Sequence, residues 1–259
     1  MISSESNAKA VPILVRAREA FREIVEAHGL TDASLRITTR TLSTEEAIGT
    51  PQYDDLPILR GREVMIEAKF RGARGHAFTS SPSSWSGSVG ELLGLPVASN
   101  EQRALLAAAM NAALRSLGLI DRTVHCHSQD IASCGEQMAR QLRARYGPIS
   151  VGVVGYQPGL VAGLAEHFGP DRVHVADLLA ENVGRRVHEV EIWDGLTRTE
   201  HLLRASRLVL ATGSIVANNT VDDLFDAAAR HDVPVILYGV TAAAVCHLCE
   251  IPRLCLLAA

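Results

Sequence analysis

The chain has 259 residues, of which 47% are hydrophobic and 21% charged, and a net charge of −4. That balance excludes a disordered chain, which needs low hydrophobicity and high net charge. It also leaves no basic footprint for nucleic acid or anionic lipid. Residues 1–10 are polar and lack the apolar core of a signal peptide. The most apolar stretch, residues 233–249, is interrupted by Pro234, Gly239 and His247 and reads as strand, turn and short helix, not a membrane span. Five cysteines, an odd number without a secretory signal, point to free thiols or metal ligands in a cytoplasmic protein.

Residues 11–28 read as a helix with Leu14, Phe21, Ile24 and Val25 on its apolar side, stopped by Gly29. Residues 34–42 alternate as a strand, and a polar loop with Gly49, Pro51 and Pro57 follows. Residues 63–70 and 75–80 read as a hairpin turned by Arg71-Gly72-Ala73-Arg74, with a Ser/Pro-rich loop at 81–87. Ser99 and Gln102 form a capping box for a helix running to about Leu117. Ser133 and Glu136 match the same pattern for a helix ending near Tyr146 and Gly147.

After Pro148 the pattern changes. Apolar strands at 149–154, 172–176, 208–211, 233–238 and 254–257 alternate with helical segments beginning near Leu160 and Thr220 and after Tyr238. Such alternation predicts a parallel sheet covered on both faces. The expected boundary between the two parts falls at 118–133.

In an open parallel sheet, ligands sit beyond the carboxyl ends of the strands. Three candidates stand there: the turn from Gly155 to Gly159, Asp177 where a ribose hydroxyl is often held, and Gly213-Ser214, whose N–H groups could bind an anion. No GxGxxG pattern, P-loop, HExxH or Ser-His-Asp arrangement is present. His125, Cys126, His127 and Cys134 carry metal-ligand chemistry. Alternation along an extended segment would let the two histidines share a site that excludes Cys126. Cys134 would sit at a helix N-terminus, where the dipole lowers a thiol pKa. Cys246 and Cys249 share a helix face and read as core residues, with Cys255 beyond them. His76, Trp85 and Trp193 read as structural.

Several phrases in order resemble one family. They are Gly75-His76-Ala77-Phe78-Thr79, Ala108-Ala109-Met110-Asn111-Ala112, Asp121-Arg122-Thr123-Val124-His125-Cys126 and Val154-Gly155-Tyr156-Gln157-Pro158. Further on come Ala176-Asp177-Leu178 with Glu181-Asn182-Val183-Gly184, Ile192-Trp193-Asp194-Gly195, and Leu210-Ala211-Thr212-Gly213-Ser214 with Asn218-Asn219-Thr220. The last is Tyr238-Gly239-Val240-Thr241. Together they resemble the bacterial and archaeal family labelled "putative heavy-metal chelation". The chain departs from the family's phrases at Asn219, where glycine is expected, and at Leu179-Ala180-Glu181, where Asn-Pro-Asp is expected.

The resemblance implies an α/β protein. A small α+β enolase-N-terminal-like domain (11–120) would precede a Rossmann-like parallel sheet with helices on both faces (121–259). It implies a small-ligand site between the two, taking a heavy or transition metal ion or a metal chelate. The ligand set would be Asn111, His125, Gly155, Tyr156, Gln157, Pro158, Asp177, Asn182, Gly213, Ser214, Asn218, Thr220 and Thr241. Metal ligands would come from Cys126, Cys134, His125 and His127. The rival expectation is an enzyme acting on a small molecule with a nucleotide-type ligand at the strand ends. A third is a structural role in which Asp177 and Ser214 only cap turns. Nucleic acid and membrane are excluded as partners, and a homo-oligomer remains open.

Overall fold

The computed structural model describes residues 11–31, 36–50, 53–60, 63–127 and 130–259. The first part of the chain runs α1 (Ile13–Ala27), β1 (Arg36–Thr41), α2 (Thr44–Ile48), a 3-10 turn (Pro57–Arg60), β2 (Val64–Phe70), β3 (Ala73–Thr79), β4 (Trp85–Ser88), α3 (Val89–Leu93) and α4 (Asn100–Ser116). The second runs α5 (Ile131–Tyr146), β5 (Val151–Val154), α6 (Pro158–Phe168), β6 (Val173–Asp177), β7 (Arg186–Val187) and β8 (Val190–Asp194). It continues with α7 (Gly195–Ala205), β9 (Leu208–Thr212), α8 (Val221–Arg230), β10 (Val235–Tyr238), α9 (Ala243–Leu248) and β11 (Arg253–Leu254).

The first four strands form an antiparallel sheet of order β3-β2-β1-β4. Its hairpin turns on Arg71 and Gly72, both at positive φ (50° and 82°), in the two-residue geometry that matches strand twist. Helix α4 lies on this sheet. Its alanine-rich length permits close approach, and Gly75 completes it: a Cβ there would stand 2.4 Å from the Ala108 carbonyl oxygen.

The remaining strands form a sheet of order β11-β10-β9-β5-β6-β8-β7, parallel except for the edge hairpin β7-β8. Alternate residues feed two cores. Val209, Ala211 and Leu237 pack with Leu202, Leu224 and Val245, while Val153, Leu210 and Ile236 pack with Leu142, Leu160 and Leu164. Helices therefore cover both faces, as the continuous apolar strands require. The order reverses between β5 and β9, opening a crevice at their carboxyl ends.

Several elements went unread in the sequence: α2, β4, α3, and the run β7-β8-α7. Short helices α2 and α3 each start with a capping box, Ser43 with Glu46 and Ser88 with Glu91. Helix α4 has the expected cap at Ser99 with Gln102. The second expected box is wrong: α5 begins at Ile131 with Asp130 at the cap position, and Ser133 lies inside the helix, accepting from Gln137 Nε2 at 2.9 Å. Ile131 is buried against Ile48 and Met65, so apolar packing draws the helix start upstream of the Ser-x-x-Glu pattern. The start of the strand expected over 34–42 lies outside the described residues, as does Pro51. No helix among the described residues is long and apolar enough to cross a membrane.

Candidate functional site

Two adjoining cavities occupy the crevice. The larger, of about 870 Å³, opens at the carboxyl ends of β5, β6 and β9. It takes in Gly155, Tyr156, Asp177, Thr212, Ser214, Asn218 and Thr220, and is closed on the other side by Glu63, Ser80 and Asn100. The smaller, of about 140 Å³, is lined by His125, Cys126, Cys134, Cys255, Gln157, Gly213 and Thr241 among others. Glu63, Tyr156, Thr212 and Ser214 belong to both and form the neck between them.

The strand-end groups are held by one network. Asp177 accepts from the backbone N–H of Tyr156 (2.5 Å) and of Leu179 (2.7 Å), and from Asn182 Nδ2 at 3.4 Å. Arg185 bridges Asn182 Oδ1 and Asp55, each at 3.0 Å, and the Tyr156 hydroxyl donates to Asp55 at 2.8 Å. Burial, then the Asp55 carboxylate, pushes the Tyr156 phenol well above its ordinary range, so it stays a donor. The Gln157 side chain caps α6 by accepting from Leu160 N–H. Asp177 thus holds the turn, and both its oxygens are engaged.

Backbone N–H groups at the strand ends are used in the same way. Gly155 donates to the Ala176 carbonyl, Ser214 to Thr212 Oγ1, Asn218 to the Ser214 carbonyl and Thr220 to the Ile215 carbonyl. At Gly213-Ser214, where an anion site was expected, the Ser214 N–H makes only a long 3.5 Å contact with Thr212 Oγ1. Asn219, where the resembled family has glycine, sits at φ 61°. Asparagine is among the few side chains that tolerate this region, so the loop keeps the conformation a glycine would favour.

Of the other expected ligand residues, Asn111 and Asn182 are buried and Pro158 opens α6; all three line neither cavity. The Asn111 amide donates to the His76 and Val240 carbonyls, both at 3.0 Å, and its oxygen accepts from Ala244 N–H at 2.7 Å. Every polar atom of that side chain is occupied within the fold. Thr241 lines the smaller cavity and accepts from Phe78 N–H at 3.0 Å.

The thiol and imidazole groups divide differently from the expectation. His125 and Cys126 face one cavity together, whereas His127 is exposed and lies against Gly49. The segment carries a bend at Val124 and is not a strand, so strict alternation does not apply. The His125 ring, edge-on to Phe78 at 5.3 Å, has its Nδ1 2.6 Å from the Cys126 carbonyl. Burial drives its pKa down to about 4, so it is neutral. Cys134 is held below the ordinary thiol range by the Cys126 thiol hydrogen bond and, against burial, by the Leu257 and Leu256 backbone N–H groups. Hydrogen bonding with Cys134, and then burial, raises Cys126. The lowering at Cys134 comes from direct donors, not from the helix end alone. Cys246 is buried in the core, where burial raises it to about 12.

Two residues escaped the sequence reading. Cys255 reaches the thiol cavity because the chain doubles back: Ala259 and Val124 exchange backbone hydrogen bonds at 2.9 Å. Glu63, at the neck, has no hydrogen bond or ion pair among the described residues. Burial, and then the Asp177 charge, raise it to about 7.

Among the described residues, no three His, Cys, Asp or Glu side chains are grouped to hold a metal ion. The four expected ligands do not form a tetrahedral site. The hydrogen-bonded pair Cys126 and Cys134, with the Met138 thioether 3.8 Å from Cys134 Sγ, is instead a soft donor set of low coordination.

Residues 142–250 match the family described as "Putative heavy-metal chelation". The match holds β5 to α9 with the ends of β5, β6, β9 and β10, and it omits Glu63, Cys126, Cys134 and Cys255. A protein of unknown function in that family, from Pyrococcus horikoshii, aligns over 89% of this chain and 80% of its own, at 17% identity and TM-score 0.47. One from Desulfitobacterium hafniense aligns over 72% of each chain, at 17% identity and TM-score 0.48. No curated protein matches the sequence.

Proposed function

We propose that the protein binds a small ligand in the paired cavities between its antiparallel and Rossmann-like parts, and captures a thiophilic metal ion or its chelate at the thiol end. The observation that carries this is the convergence of Cys126, Cys134 and Cys255 on one small cavity that shares a neck with the strand-end cleft. A thiolate at Cys134 supplies the anionic sulfur and Cys126 the second donor. Cys255 and neutral His125 line the same cavity without joining that pair around one ion. The family description points the same way at the level of a metal-related role.

The test is to load the reduced protein with Cu(I) held by a competing chelator, then measure retained metal by elemental analysis. One ion per chain, lost when Cys126 and Cys134 are both changed to Ser, supports the reading. Retention unchanged by that double substitution overturns it.

A second reading has one observation in its favour. Glu63 changes protonation near neutrality beside an enclosed cleft, the property of a general acid or base. An enzyme acting on a small molecule would lose turnover in Glu63→Gln with its metal content intact.

A further inference from the structure

Three of the free cysteines line the smaller cavity, and two of them meet there. Cys126 lies two residues beyond Val124, which exchanges backbone hydrogen bonds with Ala259, and Cys134 stands on the first turn of α5. Both are half-buried, and their thiols share a hydrogen bond in which Cys126 is the donor. The Cys134 sulfur also accepts from the Leu256 and Leu257 backbone N–H groups, and the Met138 thioether lies 3.8 Å from it. It is fixed in place with its partner thiol already in contact.

The other cysteines are placed differently. Cys255 lines the same cavity, but its sulfur is held by the Gly239 and Ala258 backbone N–H groups. Cys246 is buried in the core, and the Cys249 thiol turns to the Ile13 carbonyl at 3.6 Å. Although only three residues apart, those two line neither cavity. The thiol cavity is reached from the cleft through the neck at Glu63, Tyr156, Thr212 and Ser214, and its volume of about 140 Å³ accommodates a molecule the size of a peroxide.

We propose that Cys126 and Cys134 form a site of reversible oxidation, joined as a disulfide by hydrogen peroxide that enters from the cleft. Because the Cys126 S–H is directed at Cys134, attack on the peroxide falls to Cys134 and the closing step to Cys126. The Cys134 sulfur attacks one peroxide oxygen, the O–O bond breaks, and the thiol proton leaves with the other oxygen as water. The Cys126 sulfur then attacks the resulting sulfenic acid. The S–S bond forms, the S–O bond breaks, and the hydroxyl departs with the Cys126 proton as a second water. The thiol pair gives up two electrons and the peroxide takes them. This bond forms whether or not the pair carries an ion. Its consequence for metal rests on the reading above: a disulfide has no thiolate to donate, so oxidation releases an ion held there.

The test treats the reduced, metal-free protein with equimolar hydrogen peroxide, denatures it, blocks the remaining thiols with N-ethylmaleimide, and maps an unreduced tryptic digest by mass spectrometry. Residues 123–140 form one tryptic peptide, so the bond appears as the loss of two hydrogens from it, with neither cysteine blocked. Expected are that disulfide alone, with Cys246, Cys249 and Cys255 blocked, and its disappearance with dithiothreitol. With dimedone present, Cys126→Ser should accumulate the sulfenic-acid adduct at Cys134, which the wild type resolves. Cys134→Ser should give no adduct at Cys126. A disulfide through any other pair, oxidation of Cys249 ahead of Cys134, or an adduct at Cys126 in Cys134→Ser overturns the proposal. Cu(I) retention by reduced and oxidised samples separates the two ideas. A disulfide in a protein that holds no ion when reduced sinks the metal reading alone; metal retention with no disulfide sinks this proposal alone.

Discussion

Asn111 and Ala244 are joined by a 2.7 Å hydrogen bond, in which the Asn111 side-chain oxygen accepts from the Ala244 backbone N–H. The helix on the antiparallel sheet is thereby fastened to the start of α9 behind the parallel sheet. With its two donated bonds, Asn111 satisfies three backbone groups that lie far from water.

Asn111→Leu is therefore expected to cost about 2–4 kcal/mol, since buried backbone groups lose partners and the new side chain returns no hydrogen bond. Urea denaturation measures it. A loss below about 0.5 kcal/mol would show that the junction does not depend on this amide.

Asp177→Asn should be costly as well. An amide has one accepting oxygen where the carboxylate has two, so either Tyr156 N–H or Leu179 N–H loses its partner. The expected destabilisation is about 1–3 kcal/mol. Hydrogen exchange should quicken at Tyr156 and Leu179 before it does in the strands.

Glu63 sets a pH dependence whose sign can be worked out. Its folded pKa of about 7 exceeds the ordinary 4.5, so the folded state holds the proton more tightly than the unfolded state. Below pH 4.5 both states are protonated and the group has no effect. Between pH 4.5 and 7 stability falls, by about 3 kcal/mol in all, and above 7 the cost is constant. Glu63→Gln lacks this cost, so its melting temperature should exceed that of the wild type increasingly across that window. Parallel melting curves from pH 4.5 to 8 would disprove the assignment.

Alkylation should rank the thiols. At neutral pH iodoacetamide is expected to label Cys134 ahead of Cys246, because Cys134 is lowered by its donors and Cys246 is raised to about 12 by burial. Cys126→Ala removes the first donor and should slow the labelling of Cys134. Peptide mapping by mass spectrometry reads both outcomes. Faster labelling of Cys246 would reverse the ranking.

The parallel strands were legible because each is buried on both faces and so is apolar throughout, as at Val151, Val153 and Leu210. The hairpin at Arg71-Gly72 and the cap at Ser99 were legible because both rest on local chemistry. What escaped depends on contacts distant in sequence. Glu63 is one carboxyl among many until folding places it beside Asp177, and Cys255 joins Cys134 only through the returning chain end. The same limit explains Ser133: a capping pattern is local, but burial of Ile131 decides where α5 begins. Asn111 and Asn182 were expected at the ligand site, yet their amides are absorbed by the fold.

Helices α5 and α6 meet backbone to backbone at Gly135, Gly159 and Gly163. A Cβ at Gly135 would stand 2.0 Å from the Gly159 carbonyl oxygen, and one at Gly163 2.7 Å from that of Gly135. At that contact no side chain separates the helices, and sliding one along the other would drive main chain into main chain. Cys134 rides on the first helix, and Tyr156 and Gln157 lead into the second. The thiol is thus gauged to the strand-end turn by the thickness of two peptide backbones at the glycine contact.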